Sequence, residues 1–478
     1  MRATLARLWL AAAALSAGAF LGVSSRPGWV APALALPAGA ALGRRRSRLA
    51  VVGLCVVAFV LGWVGASQRA GRGSPVESMA ARVPRCTLSG TVTESAGGLG
   101  TVAAVERARC SGFDEVSEAG VVMFDDEVGD AGSRFVAEGW LIPLGEDRFD
   151  VARRRLGAHA SLDAIEVELA PPPPGLMRVA SLVRRGLVHA TASLDPRRAA
   201  LLRGLAIGDT RALEPATTES FRRAGLSHLV AVSGSNVAIV LGAVGFALRG
   251  LSLNVRVLAA LGALLVFVLV VGPEPSVLRA AYMGGVGLLA LAWGRRAEPL
   301  HALALALIAV IGTRPHMIFS VGLHLSAMAT AGLVLWSRSV ARWLSFLPRA
   351  LGLGLGATLA AQAAVAPVLV ATFGELSLAG PMANLFAMAA VPPATVLGLT
   401  AAVAGSVSVA LGRFVAGVAG PFVAWILGVG ELFGGPAWAT VELPRWWGLV
   451  LAVPVLICAL VALRNDRQRL PRVASDAV

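Results

Sequence analysis

Apolar residues run in long, nearly unbroken stretches over both ends of the chain, and between them lies a segment in which polar and apolar positions alternate. The runs fall near residues 5–24, 29–42 and 49–66, then near 229–248, 253–271, 276–293, 299–312, 318–336, 351–372, 380–406, 414–434 and 446–463. A membrane-spanning helix needs roughly 20 consecutive apolar residues, so the pattern predicts about twelve transmembrane helices, with 299–312 the shortest. In the middle, CTLSGTVTES, GTVAAVERARC, EAGVVMF and SRFVAEGWLIPL alternate around glycine-rich turns. They read as short strands of a small β-barrel inserted between the third and fourth runs. Pro171 to Pro174 reads as a stiff spacer, and residues 176–228 return to helical spacing. The predicted organisation is 1–66 helical, 67–170 barrel, 171–228 linker and basic helices, 229–463 helical, and a tail at 464–478.

Composition agrees with a polytopic membrane protein. Hydrophobic residues make up 56%, charged residues 15%, and the mean hydropathy is +0.73, a balance unusual for a water-soluble globule. The net charge of +14 is carried entirely by arginine, because the sequence contains no lysine. A phosphate-binding loop of the Walker type needs its lysine, so an ATP-driven motor is not expected in this chain.

Arginine placement orients the helices. Arg44, Arg45, Arg46 and Arg48 separate the second and third runs, and Arg249, Arg295, Arg296, Arg338, Arg342, Arg349, Arg413, Arg464, Arg467 and Arg469 fall in alternate loops. Positive loops stay in the cytoplasm, which puts both termini inside and residues 67–228 outside. Arg314 and Arg445 are exceptions, while Glu274, Glu375 and Glu442 fall outside. A cleaved signal peptide is the rival reading of the first run. Outside the membrane Cys86 and Cys110 are placed to form a disulfide, against the alternative of two free thiols on adjacent strands. It would close a loop of about 25 residues and stabilise by roughly 2–4 kcal/mol. Cys55 and Cys458, inside apolar runs, read as small packing residues. The six histidines never approach ligand spacing, so no metal or cofactor is expected.

Several polar residues stand at membrane depth, where a group without a hydrogen-bond partner is costly and normally faces a bundle interior or a water-filled path. They are Ser233, Ser235 and Asn236 at the start of the fourth run, with Gly234 between them, then Arg279, His324, Gln362 and Asn384. Ser and Gly also let helices pack closely, Arg279 is near enough to its helix start to reach outward, and His324 and Gln362 can bond across helices with no transport role. Pro367, Gly374, Gly380, Pro381, Pro392 and Pro393 mark either kinks or discontinuous helices. Arg178, Arg184, Arg185, Arg197, Arg198, Arg203, Arg211, Arg222 and Arg223 form a basic helical stretch that suits anionic lipid or phosphates. Asp209 fits a helix N-cap or a loop hydrogen bonder. Phe113, Phe124, Phe135, Trp140 and Phe149 are expected in the barrel core rather than on a base-stacking surface.

Four blocks carry a resemblance to the ComEC family of competence proteins, the channels that pass transforming DNA across the bacterial cytoplasmic membrane. They are GLAIGDTRALEPATTESFRRAGLSHLVAVSGSNVAIV from Gly204, PSVLRAAYM from Pro275, FSVGLHLSAMATAGLVLW from Phe319 and AAQAAVAPVLVATFGELSLAGPMANLFAM from Ala360, together roughly the C-terminal 60% of the chain. Two departures are visible. Where members commonly have Ser-Gly-Leu-His, this chain has Ser233, Gly234, Ser235 and Asn236, and Phe-Gln-Leu-Ser is replaced by Leu323, His324, Leu325 and Ser326.

The resemblance implies a channel for single-stranded DNA in the cytoplasmic membrane, with an oligonucleotide/oligosaccharide-binding (OB) type barrel outside. It puts Arg222, Arg223, His228, Ser233, Ser235, Asn236, Arg279, His324, Gln362 and Asn384 along the DNA path, with Asp209 and Gly234 structural. It further implies a cytosolic DNA helicase and an extracytoplasmic DNA receptor as partners. Many members continue into a metallo-β-lactamase-like domain; this chain stops at Val478 without a His-x-His-x-Asp-His cluster, so no nuclease chemistry is expected in it. A small-solute or ion permease and a non-conducting membrane scaffold are the competing functional classes.

Overall fold

The computed structural model describes residues 74–468 apart from 96–99, 126–127, 130–131, 146–149, 151–152, 155–157, 171–174, 231–233, 273, 296, 315–316 and 319. The three N-terminal runs, Cys55, Phe149, the proline spacer, Ser233 and the end of the tail lie outside the described residues. Contacts divide the chain into two units, one containing the barrel and one containing most of the later helices.

The barrel unit opens with a short helix, α1 (Pro75–Ala80), and five strands, β1 (Arg85–Ser95), β2 (Thr101–Cys110), β3 (Val116–Phe124), β4 (Arg134–Pro143) and β5 (Ala160–Ala170). The strands close in the order β1-β2-β3-β5-β4, with β3 and β5 the one parallel pair and β4 returning antiparallel to β1. Alternation explains the register. Along β4, Phe135, Ala137 and Leu141 point inward while Val136, Trp140 and Ile142 point out, the period of two that a half-buried strand requires. Leu88, Val105, Val122, Phe124, Phe135, Leu141 and Leu162 fill the interior, joined by Val76 and Met79 of α1. Phe124 and Phe135 meet edge to face with centroids 5.2 Å apart. Where β4 passes β5 the register slips at Glu138/Gly139, and a Cβ on Gly139 would lie 2.2 Å from the Asp163 carbonyl oxygen. That bulge tightens the curvature a small closed barrel needs.

Two expectations change here. The alternating pattern gave four strands; the fifth, β5, turns Ala160, Leu162, Ala164 and Val167 to the core and Asp163, Glu166 and Glu168 outward, an alternation that the sequence reading passed over. Trp140 is 44% exposed rather than core, because it falls on the outward parity of β4. Phe113 packs against the core from its edge. Cys86 and Cys110 form a disulfide and are direct cross-strand partners on β1 and β2.

His159, just before β5, ties the barrel together. Its Nδ1 accepts a hydrogen bond from the Val121 amide at 3.1 Å, while its own amide donates to the Val121 carbonyl at 2.8 Å. Burial pushes the imidazole pKa below its usual value, outweighing the nearby Glu77 carboxylate. An acceptor nitrogen cannot be protonated without losing its bond. A base with a depressed folded-state pKa contributes stability that is full above the unfolded value of about 6.5 and is lost as pH falls toward the folded value. Thermal unfolding between neutral pH and pH ~5 is expected to show this loss, and His159→Asn, which keeps an acceptor without the proton site, is expected to flatten it. Equal slopes in both proteins would contradict the assignment.

The rest of the series of elements is mostly helical; most of it forms the second unit, while residues 265–278 and 304–320 group with the barrel unit. Leu176–Thr191 (α2), Pro196–Ile207 (α3), Pro215–Arg223 (α4) and Ser227–Val230 (α5) precede Gly234–Ala247 (α6), Leu253–Val271 (α7), Pro275–Ala292 (α8), Pro299–Thr313 (α9), Val321–Trp343 (α10) and Arg349–Phe373 (α11). A strand β6 (Glu375–Ser377), Gly380–Ala387 (α12), Val391–Val407 (α13), Val409–Gly434 (α14), β7 (Thr440–Glu442) and Trp447–Gln468 (α15) complete it. Asp195 caps α3 through the Arg197 and Arg198 amides, with Pro196 in the first turn, where its missing N–H costs nothing. The nine later apolar runs thus became helices, 380–406 as the separate α12 and α13, and 318–336 as an α10 that runs on to Trp343. By length and composition α7, α8, α11 and α14 can cross a membrane, and α12 with α13 forms a fifth candidate bent by 53°. That break, with Pro392 and Pro393 in the first turn of α13, is a true discontinuity, whereas Pro367 lies inside a continuous α11.

Small residues set the packing, as they do where no water drives helices together. A Cβ on Gly405 of α13 would lie 2.3 Å from the Gly186 carbonyl oxygen of α2, and one on Gly412 of α14 would lie 2.6 Å from the Gly405 Cα. Gly332 of α10 meets the Ala360 carbonyl of α11 as closely. Cys458 is exposed on α15, beside the equally exposed Leu456 and Ile457, so it does not pack against a neighbouring helix as expected.

Candidate functional site

The turn at residues 221–225 is a docked element. Phe221, at the end of α4, is 1% exposed and fits where Gly430 of α14 has no side chain, since a Cβ there would lie 2.4 Å from the phenyl ring. Gly225 follows with φ +67°, a left-handed conformation that glycine adopts without strain, and its bare Cα lets Gly380 approach. Ser377 gathers the turn to the rest of the unit. Its hydroxyl donates to the Arg223 carbonyl at 2.7 Å and accepts from the Gly380 amide at 3.1 Å. Gln362 Nε2 donates to the Ser377 carbonyl. Asn384 Nδ2 donates to the Gly380 carbonyl at 2.8 Å and the Gly225 carbonyl at 3.4 Å. Arg223, Gln362 and Asn384, scattered in sequence, are therefore brought to one place, and these bonds run to backbone carbonyls.

Arg222 leaves the turn for solvent-side partners, pairing with Glu219 and with Glu375. Its hydrogen bond holds the Glu219 carboxyl below its usual pKa. Arg223 donates to the Pro436 carbonyl at 2.6 Å. Beyond them β6 and β7 pair antiparallel, Glu375 opposite Glu442, beside an open cleft of about 540 Å³ lined by both carboxylates. The basic helices are occupied in the same way. Arg197 bonds Glu431 and Arg203 bonds Thr191, while Arg178, Arg185 and Arg198 are exposed. Asp209 accepts from Arg211 Nε at 2.6 Å and Nη2 at 2.9 Å; burial raises its pKa, but the Arg211 bond and charge outweigh that and hold it low. It is a loop hydrogen bonder rather than an N-cap.

Asn236 and Arg279 occupy two further places in the helical unit. Asn236, 2% exposed, donates to the Leu205 carbonyl at 2.9 Å, linking α6 to α3. Arg279, 5% exposed, donates to Thr330 Oγ1 of α10 and lies 3.5 Å from Met283 Sδ. Its guanidinium rests against Gly234. Ser235 is half-buried, and His228 and His324 are exposed. Sequence reasoning missed Ser377 and Thr330. Ser377 sits just after the Gly374 helix stop and Thr330 lies inside the third block, so both were in view without a reason to single them out. Among the described residues no three His, Cys, Asp or Glu side chains converge to hold a metal.

A sequence model of the Competence protein family matches residues 205–468, more than half of the chain. The chain belongs to the Competence protein family. Over 256 residues this competence-family chain is 28% identical to "ComE operon protein 3" of Bacillus subtilis (strain 168), a match covering 52% of the chain. It spans 32% of that relative's length. No solved structure matches it. The family match begins in α3 and ends in α15, so it includes the candidates from Asp209 to Asn384 but not Arg178, Arg185, Arg197, Arg198 or Arg203.

Proposed function

We propose that the chain is a multi-pass channel of the bacterial cytoplasmic membrane that admits single-stranded DNA during natural transformation. In this reading it has about twelve spans with both termini in the cytoplasm, and the barrel and α2–α4 lie outside and receive the strand. The observation that carries it is the family match across the helical unit, since competence is DNA uptake. Two structural features support it. The closed barrel, with its β3–β5 parallel closure, has the five-stranded form of an OB domain, which often holds nucleic acid. Glu375 and Glu442, assigned from charge to the same outer side, pair in one small sheet.

The chain itself is proposed to do no chemistry. A polyanion entering against a negative-inside potential loses roughly 2.3 kcal/mol per charge per 100 mV, so a cytosolic helicase is proposed to pull the strand that an extracytoplasmic receptor delivers. A non-conducting scaffold is the second reading, favoured by the internal bonds of Arg223, Gln362 and Asn384.

Uptake of labelled DNA into cells lacking the chain, with and without complementation, tests the proposal. DNA held outside in the deletion and admitted again on complementation is the expected result. Normal entry without the chain in a transformable host would refute it.

A further inference from the structure

Arg279 is a buried cation that pairs with no carboxylate among the described residues. It lies in the second turn of α8 and is 95% inaccessible, its exposure being 5%. Nη1 is taken by Thr330 Oγ1, whose own hydroxyl donates to the Ser326 carbonyl at 2.9 Å and so is fixed in direction. Nε is buried and has no hydrogen-bond partner among the described residues. No described carboxylate pairs with this guanidinium, and α6, α8 and α10, which supply Gly234, Met283 and Thr330 against it, contain no Asp or Glu in their sequences. A buried charge left unpaired is among the most unfavourable features a fold can carry.

The second observation makes the deficit larger. The guanidinium is aimed at the start of α6, because a Cβ on Gly234 would lie 2.5 Å from Nη2. α6 has 14 residues, enough for a developed dipole, and the N-terminus of such a helix carries about half a positive charge. Two positive features therefore converge on one spot, and Gly234 supplies the missing side chain that lets them meet. Helix N-termini and arginines are each favoured partners of phosphoryl oxygens, and together they bind them well.

We infer that Arg279, oriented by Thr330 and set against the N-terminus of α6 at Gly234, forms a binding site for one phosphate-type anion. This rests on the channel reading only for its role; the site itself follows from the uncompensated charge. The shared chemistry is a phosphodiester or phosphate oxygen, supplied by a passing DNA strand or by a lipid headgroup.

The test uses the full chain in phosphatidylcholine nanodiscs. Inorganic phosphate, compared with chloride at equal ionic strength, is expected to raise the unfolding temperature of the wild type through binding linkage. Arg279→Gln is expected to fold, because it removes the unpaired charge, and to weaken apparent phosphate affinity about tenfold or more. Gly234→Ala, whose new methyl displaces Nη2, is expected to do the same with the arginine still present. A short oligothymidylate and phosphatidylglycerol discs form the two further arms. Arg279-dependent stabilisation by the oligonucleotide assigns the site to the strand, and stabilisation by phosphatidylglycerol but not by the oligonucleotide assigns it to headgroups; both support the site. Equal phosphate response in wild type and Arg279→Gln, or none in either, overturns it. Uptake assays in the same variants separate the two ideas. Lost uptake without any phosphate effect sinks the site and leaves the channel reading standing, whereas phosphate binding with normal uptake in Arg279→Gln keeps the site and removes it from transport.

Discussion

Phe221→Ala is expected to destabilise the helical unit by about 3–5 kcal/mol, the range for emptying a fully buried aromatic position. The ring has no room to be replaced by relaxation from α14, because the facing residue is Gly430 and the next turn brings Gly434 against the Ser220 carbonyl, with a Cβ there only 2.1 Å away. The void would open under the Arg222–Gly225 turn, whose Ser377, Asn384 and Pro436 contacts all depend on where the ring seats it. Thermal unfolding in detergent and DNA uptake in cells are therefore expected to fall together. Phe221→Leu, which fills most of the space, is expected to keep much of both. An alanine variant as stable as the wild type would mean that the turn is held by its hydrogen bonds alone.

Gly405→Val is expected to cost about 3 kcal/mol or more, at the upper end for overpacking. The contact it breaks is backbone against backbone. Gly186 of α2, Gly405 of α13 and Gly412 of α14 meet with no side chain between them, and a Cβ on Gly186 would itself lie 2.4 Å from the Ala402 carbonyl. Flexible side chains can step aside, but a carbonyl can move only with its helix, so two helices must separate. Lower yield of folded protein and an earlier unfolding midpoint are the readouts. Gly417→Val on α14, where a Cβ meets nothing within 4 Å, is the matched control and is expected to be silent. A silent Gly405→Val would show that α2 is free to move off α13.

Helices were legible in the sequence because lipid-compatible runs need no partner to be recognised: Leu253–Val271 appears in the structure with the bounds its apolar run predicted. Length is a weaker guide to crossing than to helicity. α10 has 23 residues, yet Arg338 and Arg342 near its end dilute its hydropathy, and α6 and α9 are short apolar helices, so the described residues yield four or five candidates by composition. The barrel was legible in four strands, as in β4; β5 alternates too, with its carboxylates outward, but stands apart from the others, after residues 144–159 and just before the proline spacer, and was passed over. The candidate site was half legible. Buried polar groups such as Asn236 and Arg279 announce themselves in apolar surroundings. Their partners do not, because Asn236 meets a backbone carbonyl, which has no sequence signature, and Thr330 is an ordinary residue until the fold turns it toward Arg279.

The three-residue pairing of β6 with β7 has a mechanical meaning. It joins the segment after α11 to the segment before α15, and Leu378 and Ala379 add amide bonds to the Ala439 carbonyl at 2.9 and 3.2 Å. These ladders cannot stretch without breaking outright, so the pairing acts as a pivot rather than a spring. α12 is pinned beside it by Asn384 Nδ2 on the Gly225 carbonyl and by Trp425 Nε1 on the Phe386 carbonyl, while α13 departs at 53° on the far side of the break. The helical unit is therefore clasped at the β6–β7 end, and the change of direction between α12 and α13 is confined to residues 388–390.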